Sequence, residues 1–161
     1  MTLQYLTAED CDIPAIYAQA KKLIDTYEDV QSIDYDKVLA WVERKITQNI
    51  SQYKVVVSNG EKCAFYRLCE DGELDDLYVL PEFQNAGIGS DILHKCIREA
   101  KAPLYLYVFA RNNRAIAFYE RFGFFIRETV GNTRLIMALK VDTRKIGDYN
   151  SKRLNFKEIE L

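Results

Sequence analysis

The sequence predicts an α/β domain, a single mixed and mostly antiparallel sheet with helices on both faces. Three observations predict it. Two apolar stripes of helical period precede residue 50, two hairpin signals follow, and a strand then runs through a glycine-containing loop into an amphipathic helix. At 161 residues the chain fits one domain whose core needs no disulfide or metal staple.

Taken in order, residues 3–7 read as a short strand, and Glu9, Asp10, Asp12 and Pro14 form a helix-start cluster. Ile13, Ile16, Tyr17, Ala20, Ile24 and Tyr27 then recur on one helical face, and Val38, Leu39, Val42 and Ile46 mark a second helix beyond the acidic linker Glu28–Asp36. Tyr53–Ser58 is valine-rich and ends at Asn59-Gly60, a two-residue hairpin signal. Lys62–Glu70 returns, Asp71-Gly72 turns again, and Glu73–Leu80 completes a meander that Pro81 stops, because proline cannot donate to a ladder. After the loop Gln84–Gly89 comes the helix Ser90–Ala100, with Leu93, Cys96, Ile97 and Ala100 on its apolar face. Leu104–Phe109 lacks polar alternation and reads as a strand buried on both faces in a parallel pairing. Asn112 suits the N-cap of a short helix closed by Gly123, and Phe124–Val130 and Arg134–Lys140 form a last hairpin around Gly131-Asn132. The order is β-α-α-β-β-β-α-β-α-β-β. A domain over residues 1–140 leaves a polar tail, 141–161, that reads either as a loose terminus or as an added edge strand.

Composition removes several function classes. A net charge of -2 argues against wholesale nucleic-acid binding. The single histidine, His94, excludes multi-histidine metal sites and leaves no histidine triad unless His94 itself takes part. Its helix face also carries Asp91, Lys95 and Arg98, which makes it a solvated residue. Cys11, Cys63, Cys69 and Cys96 form no CxxC pair and read as reduced thiols of a cytoplasmic protein, with no metal, no secretion signal and no membrane span. Charge is nevertheless divided: residues 1–80 carry 15 acidic and 8 basic side chains, and residues 81–161 carry 9 and 14. That is either chance segregation or two half-sites, one for a cation and one for an anion.

The most informative stretch is the strand, loop and helix around Gln84-Asn85-Ala86-Gly87-Ile88-Gly89-Ser90. Free backbone N–H groups at a helix N-terminus, with glycines that admit close approach, make a phosphate cradle. The Walker pattern is absent, and the dinucleotide fingerprint would need glycine at Ile92. Carboxylates cluster upstream. By strand alternation Glu73 and Asp75 share one face, and Asp76 lies on the other.

The run Gln84–Gly89 resembles the Q/R-x-x-G-x-G/A loop of the GNAT superfamily of acyl-CoA-dependent N-acetyltransferases. Leu77-Tyr78-Val79-Leu80-Pro81 resembles the strand before it, and Asn112 through Phe124 resembles the second motif, N-x-x-A-x-x-F-Y-x-x-x-G-F. The element order agrees over residues 3–140. The resemblance implies acetyl-CoA as co-substrate, its pyrophosphate on the amides of Gln84–Ser90 and its pantetheine along the backbone of Leu77, Tyr78 and Val79. It implies that Asn112 bonds the pantetheine, which is compatible with a plain N-cap. It implies that Tyr119, seven residues further on, protonates the departing thiolate, a transfer that a phenol of pKa ~10 can make. A lysine-like amine is neutral in only about one molecule in 2,500 at pH 7, so a base is needed. Glu73, eleven residues before Gln84, stands where several family members carry one, with Asp75 as the other candidate and Asp76 behind both.

The expected function is transfer of an acetyl group to a primary amine by direct attack in a ternary complex. No covalent acyl-cysteine is expected, since Cys96 lies on an apolar stripe and Cys63 and Cys69 have no histidine partner. The acidic linker suggests a cationic acceptor such as a polyamine, an aminoglycoside-like amine or a peptide amine. A binding module that holds acyl-CoA without chemistry, or a nucleotide-binding regulator, are the readings from another class. Dimerisation is common in the family, and the tail is one place for it.

Overall fold

The computed structural model describes residues 2–140, so the expectations placed on the tail lie outside the described residues. The N-terminal third lays down one strand and two helices. β1 (Leu3–Thr7) leads into a turn where Glu9 N–H donates to Asp12 Oδ2 at 2.9 Å, and α1 (Ile13–Tyr27) follows with Pro14 in its first turn. Asp12 is buried, and Lys62 answers its charge at 2.6 Å. Asp34 caps α2 (Tyr35–Gln48) by accepting from Lys37 N–H. The expected stripes face inward: Ile16, Ala20 and Ile24 of α1, and Val42 and Ile46 of α2, are buried.

β2 (Tyr53–Ser58), β3 (Glu61–Leu68) and β4 (Leu74–Val79) form the expected antiparallel meander, and β1 joins at its outer edge to give the order β1-β2-β3-β4. Asn59 and Gly60 both take positive φ, as the right-handed twist of a two-residue hairpin requires. Opposite β4, Arg67 faces Asp76 and Leu68 faces Leu74, so Asp75 is the extra residue of a β-bulge. Leu74 therefore packs in one core and Tyr78 in the other, although four residues separate them.

A 3₁₀ turn at Pro81–Phe83 and the loop after it deliver the chain to α3 (Ile88–Glu99), followed by β5 (Tyr105–Phe109), α4 (Asn113–Arg121), β6 (Phe124–Val130) and β7 (Arg134–Leu139). The expectation for β5 needs correcting. Its partner is β7, antiparallel, and its residues alternate between buried Leu106 and Val108 and the exposed Tyr107. An apolar run hid this alternation because Tyr107 is itself a large aromatic residue.

The fold class stands, but the sheet is pinched. Its second part has the order β5-β7-β6, and among the described residues it meets the first through one parallel bridge, Glu73 with Tyr105, where Tyr105 N–H donates to Gly72 O at 3.1 Å. Beyond that bridge β4 and β5 separate. α1 and α2 cover one face over Tyr53, Val55, Phe65 and Tyr78, and α3 and α4 cover the other over Leu74, Leu104, Leu106 and Met137. Arg111, just past β5, donates to Tyr27 O at 2.8 Å and to Glu28 O at 3.1 Å, which ties the end of α1 to the second sheet.

Candidate active site

The separation of β4 from β5 leaves an open strand edge. Leu80 N–H donates to Cys63 O, which makes Ala64 and Val79 a non-hydrogen-bonded pair. The peptide groups of Leu77 and Val79 therefore point away from β3, toward the gap, while Tyr78 bonds inward. An extended ligand can join such an edge as a strand would. One position on the edge is already in use, since Gln84 Nε2 donates to Val79 O at 3.0 Å.

The edge runs into the start of α3. This helix begins at Ile88, two residues earlier than expected, with Gly87 as N-cap at φ +83°. Asp91 N–H is the first to bond within the helix, to Gly87 O at 3.0 Å, so the amides of Ile88, Gly89 and Ser90 have no carbonyl below them. They form the anion cradle, with the helix dipole behind it. A Cβ at Gly87 would meet nothing within 4 Å, so only the left-handed backbone calls for glycine there. At Gly89 a Cβ would touch Phe118 at 3.5 Å and Val79 at 3.7 Å, so that glycine faces packed protein. Asn85, also at positive φ, accepts from Arg114 of α4 at 2.9 Å, which fixes the loop to the next helix, while Ala86 is exposed between them.

α4 supplies the remaining groups from the opposite wall. Asn112 Oδ1 accepts from Ala115 N–H at 3.1 Å, which is the N-cap role, and its Nδ2 is not used by that bond. Tyr119 is 9% exposed, its ring edge-on to Phe118 and Phe124. Its hydroxyl has no partner among the described residues, and because no buried polar side-chain atom there lacks one, this hydroxyl is not wholly enclosed. Burial, and more weakly Cys96 and Asp76, raise its pKa well above that of an ordinary phenol, so it keeps its proton at neutral pH but is a weaker acid than the ordinary phenol the sequence suggested.

The carboxylates differ from expectation because of the bulge. Asp75 and Asp76 were expected on opposite faces, yet Lys45 of α2 reaches both, at 3.2 Å each. Asp75 also accepts from Arg67 at 2.8 Å. Asp76, 7% exposed, accepts from the hydroxyls of Tyr53 and Tyr78, the latter at 2.6 Å. Glu73 alone of the three has no cation or hydroxyl on its carboxylate among the described residues. Burial raises its pKa, and the charges of Asp75 and Asp71 raise it further. Cys69, Asp71 and Glu73 each place a ligand-type atom within 4.8 Å of the others, but burial pushes the Cys69 thiol up to about 11, which keeps it protonated at neutral pH.

Lys45, Arg67, Tyr53 and the buried state of Asp76 were not anticipated. Two signals pointed to them: Lys45 interrupts the edge of an apolar helical stripe, and Arg67 shares a strand face with buried Phe65. Asp29 bonds Ser32, Asp34 caps α2, and Glu28 lies 3.8 Å from Arg134. His94 is exposed against the edge of Phe122, and Cys96 is core, both as expected. No helix among the described residues is long and apolar enough to cross a membrane.

Comparison with known proteins bears on this arrangement. Residues 18–124 match the model of the acetyltransferase (GNAT) family. An uncharacterised N-acetyltransferase of Methanocaldococcus jannaschii is 37% identical over 65 residues, a match that takes in 38% of this chain and 29% of that protein. An uncharacterised N-acetyltransferase of Pyropia yezoensis is 23% identical over 73% of this chain and 75% of its own length. The PaiA N-acetyltransferase of Thermoplasma acidophilum, solved in complex with coenzyme A, superposes with a TM-score of 0.64 at 18% identity, covering 88% of this chain and all of that one (100%).

Proposed function

Because the chain belongs to the acetyltransferase (GNAT) family, we propose that it moves the acetyl group of acetyl-CoA to a primary amine by direct attack in a ternary complex. The observation that carries this is the open edge of β4, which leads straight into the free amides of α3. One continuous surface thus offers strand-like bonds at Leu77 and Val79 for an extended arm and a cradle at Ile88–Ser90 for its phosphates. Acetyl-CoA supplies an acyl thioester on such an arm.

The residues have complementary tasks. Glu73 takes the proton that the amine must lose, directly or through water, and its raised proton affinity suits it to that task. As the new C–N bond forms and the C–S bond breaks, Tyr119 gives its proton to the leaving sulfur, and solvent restores it. The products are an amide and a free thiol. Asp71, Glu73, Asp75 and Asp76 outnumber Lys45 and Arg67 around the acceptor side, which favours a cationic amine. The test is a screen of polyamines, aminoglycoside-like amines, peptide amines and neutral amines that follows thiol release from acetyl-CoA. Turnover with cationic amines is expected. Tight coenzyme A binding with no release for any amine would overturn the catalytic reading.

A further inference from the structure

We infer that Lys45, with Arg67, is a positioning residue that divides the acidic cluster at the β4 bulge, engaging Asp75 and Asp76 and leaving Glu73 free to exchange protons. This rests on the reading of Glu73 as the base. The geometry carries it. One oxygen of Asp76 accepts from Tyr78 at 2.6 Å, and the other accepts from Tyr53 and from Lys45 at 3.2 Å. The Asp75 carboxylate lies between Lys45 at 3.2 Å and Arg67 at 2.8 Å. Arg67 is itself held by Gln52 Oε1, at 3.1 Å from Nε and 2.9 Å from Nη2, so it cannot swing toward Glu73 without breaking that fork. Lys45 leaves α2 next to Trp41, its ammonium 5.8 Å from the ring centroid, and is largely buried at the strand.

Glu73 therefore faces a mixed field. Asp75 lies beyond it on β4 and Asp71 before it in the turn, the latter bonded by the Tyr105 hydroxyl of β5 at 2.6 Å. Cys69 stands across the turn at the end of β3. The opposing cations are Lys45 from α2 and Arg67 from β3, and both act to lower its proton affinity against burial and the neighbouring acids. Asp75 and Asp76 cannot serve as the base without giving up these bonds. Without the clamp, Glu73 would stand among carboxylates that nothing offsets, and it would hold its proton to higher pH.

The experiment follows the Glu73 side-chain carboxyl by carbon NMR over pH in the full chain, in the wild type and in Lys45→Met, Lys45→Arg and Arg67→Gln. The Glu73→Gln variant assigns the signal. The expected result is an upward shift of the Glu73 midpoint in Lys45→Met and a wild-type midpoint in Lys45→Arg. If Lys45→Met does not fold, Arg67→Gln shows the same upward shift. An unchanged midpoint in the folded charge-removing variant overturns the inference, because a merely structural lysine would lower stability without moving it. No acceptor is needed, so failure of the acetyl-transfer reading shows up separately, as absence of thiol release in the amine screen.

Discussion

Gly72→Ala is the substitution with the largest effect that the structure allows to be worked out. Gly72 has φ +98°, and a Cβ there would lie 2.1 Å from Pro103 O and 2.9 Å from Pro103 C. A carbon needs about 3.3 Å from a carbonyl oxygen, so the two backbones must part by roughly 1.2 Å. Neither atom belongs to a flexible side chain that can step aside. The left-handed backbone costs an alanine about 1–2 kcal/mol. Parting the chains also strains the bond from Tyr105 N–H to Gly72 O, worth about 1 kcal/mol, at the bridge between the two sheets. The expected loss is ~3 kcal/mol or more, a large share of a typical stability of about 5–15 kcal/mol. Urea denaturation measures it, with Gly60→Ala as the control, since Gly60 has φ +79° and no atom within 4 Å of its would-be Cβ. If the two variants lose the same stability, the packing argument at the bridge is wrong. A second readout is KM for acetyl-CoA, which should rise in Gly72→Ala because the same wedge widens the gap between β4 and β5.

Other outcomes follow from the site. Tyr119→Phe lowers kcat by about 100-fold or more, with KM for acetyl-CoA and thermal stability nearly unchanged, because the hydroxyl bonds no protein group among the described residues; steady-state kinetics and a melt check both. Glu73→Gln removes turnover at neutral pH yet stabilises the fold there. The raised Glu73 favours its protonated form on folding, so its contribution is full below the ordinary carboxylate range and is lost as pH rises through the raised value. The variant's gain therefore fades as pH falls below the ordinary carboxylate range in denaturation curves taken across pH. Gly87→Ala raises KM for acetyl-CoA through backbone strain of ~1–2 kcal/mol in the cradle, whereas Gly89→Ala, with contacts no closer than 3.5 Å, binds coenzyme A within a few-fold of wild type by calorimetry.

Most of the fold was legible because its signals are local. Helical stripes, Asn59-Gly60, Asp71-Gly72 and the strand, loop and helix around Gly87 each depend on residues within a few positions of one another. What alternation could not foresee was a bulge: inserting Asp75 reverses the parity of β4, and it was parity that had separated Asp75 from Asp76. The partners of the buried carboxylates were hidden for a related reason, since Lys45 lies about 30 positions from them in sequence and only tertiary packing joins them. At the site, Glu73 and Tyr119 were named from the family resemblance of the motifs around them. Their distinguishing feature, a carboxylate and a phenol hydroxyl without a hydrogen-bond partner among the described residues, exists only in three dimensions.

The strand order β5-β7-β6 has a consequence for synthesis on the ribosome. The first four strands are complete once Val79 has emerged, and each pairs with the one made just before it in the sheet. In the second part the central strand is made last: β5 and β6 are not hydrogen-bonded neighbours, and both wait for Arg134–Leu139. A nascent chain released before that point would expose two unpaired apolar strands, and a stop codon as late as residue 133 would cost the whole C-terminal sheet rather than a single edge strand. Folding of this half therefore waits on β7, and nonsense or frameshift changes anywhere upstream of β7 should behave as complete losses.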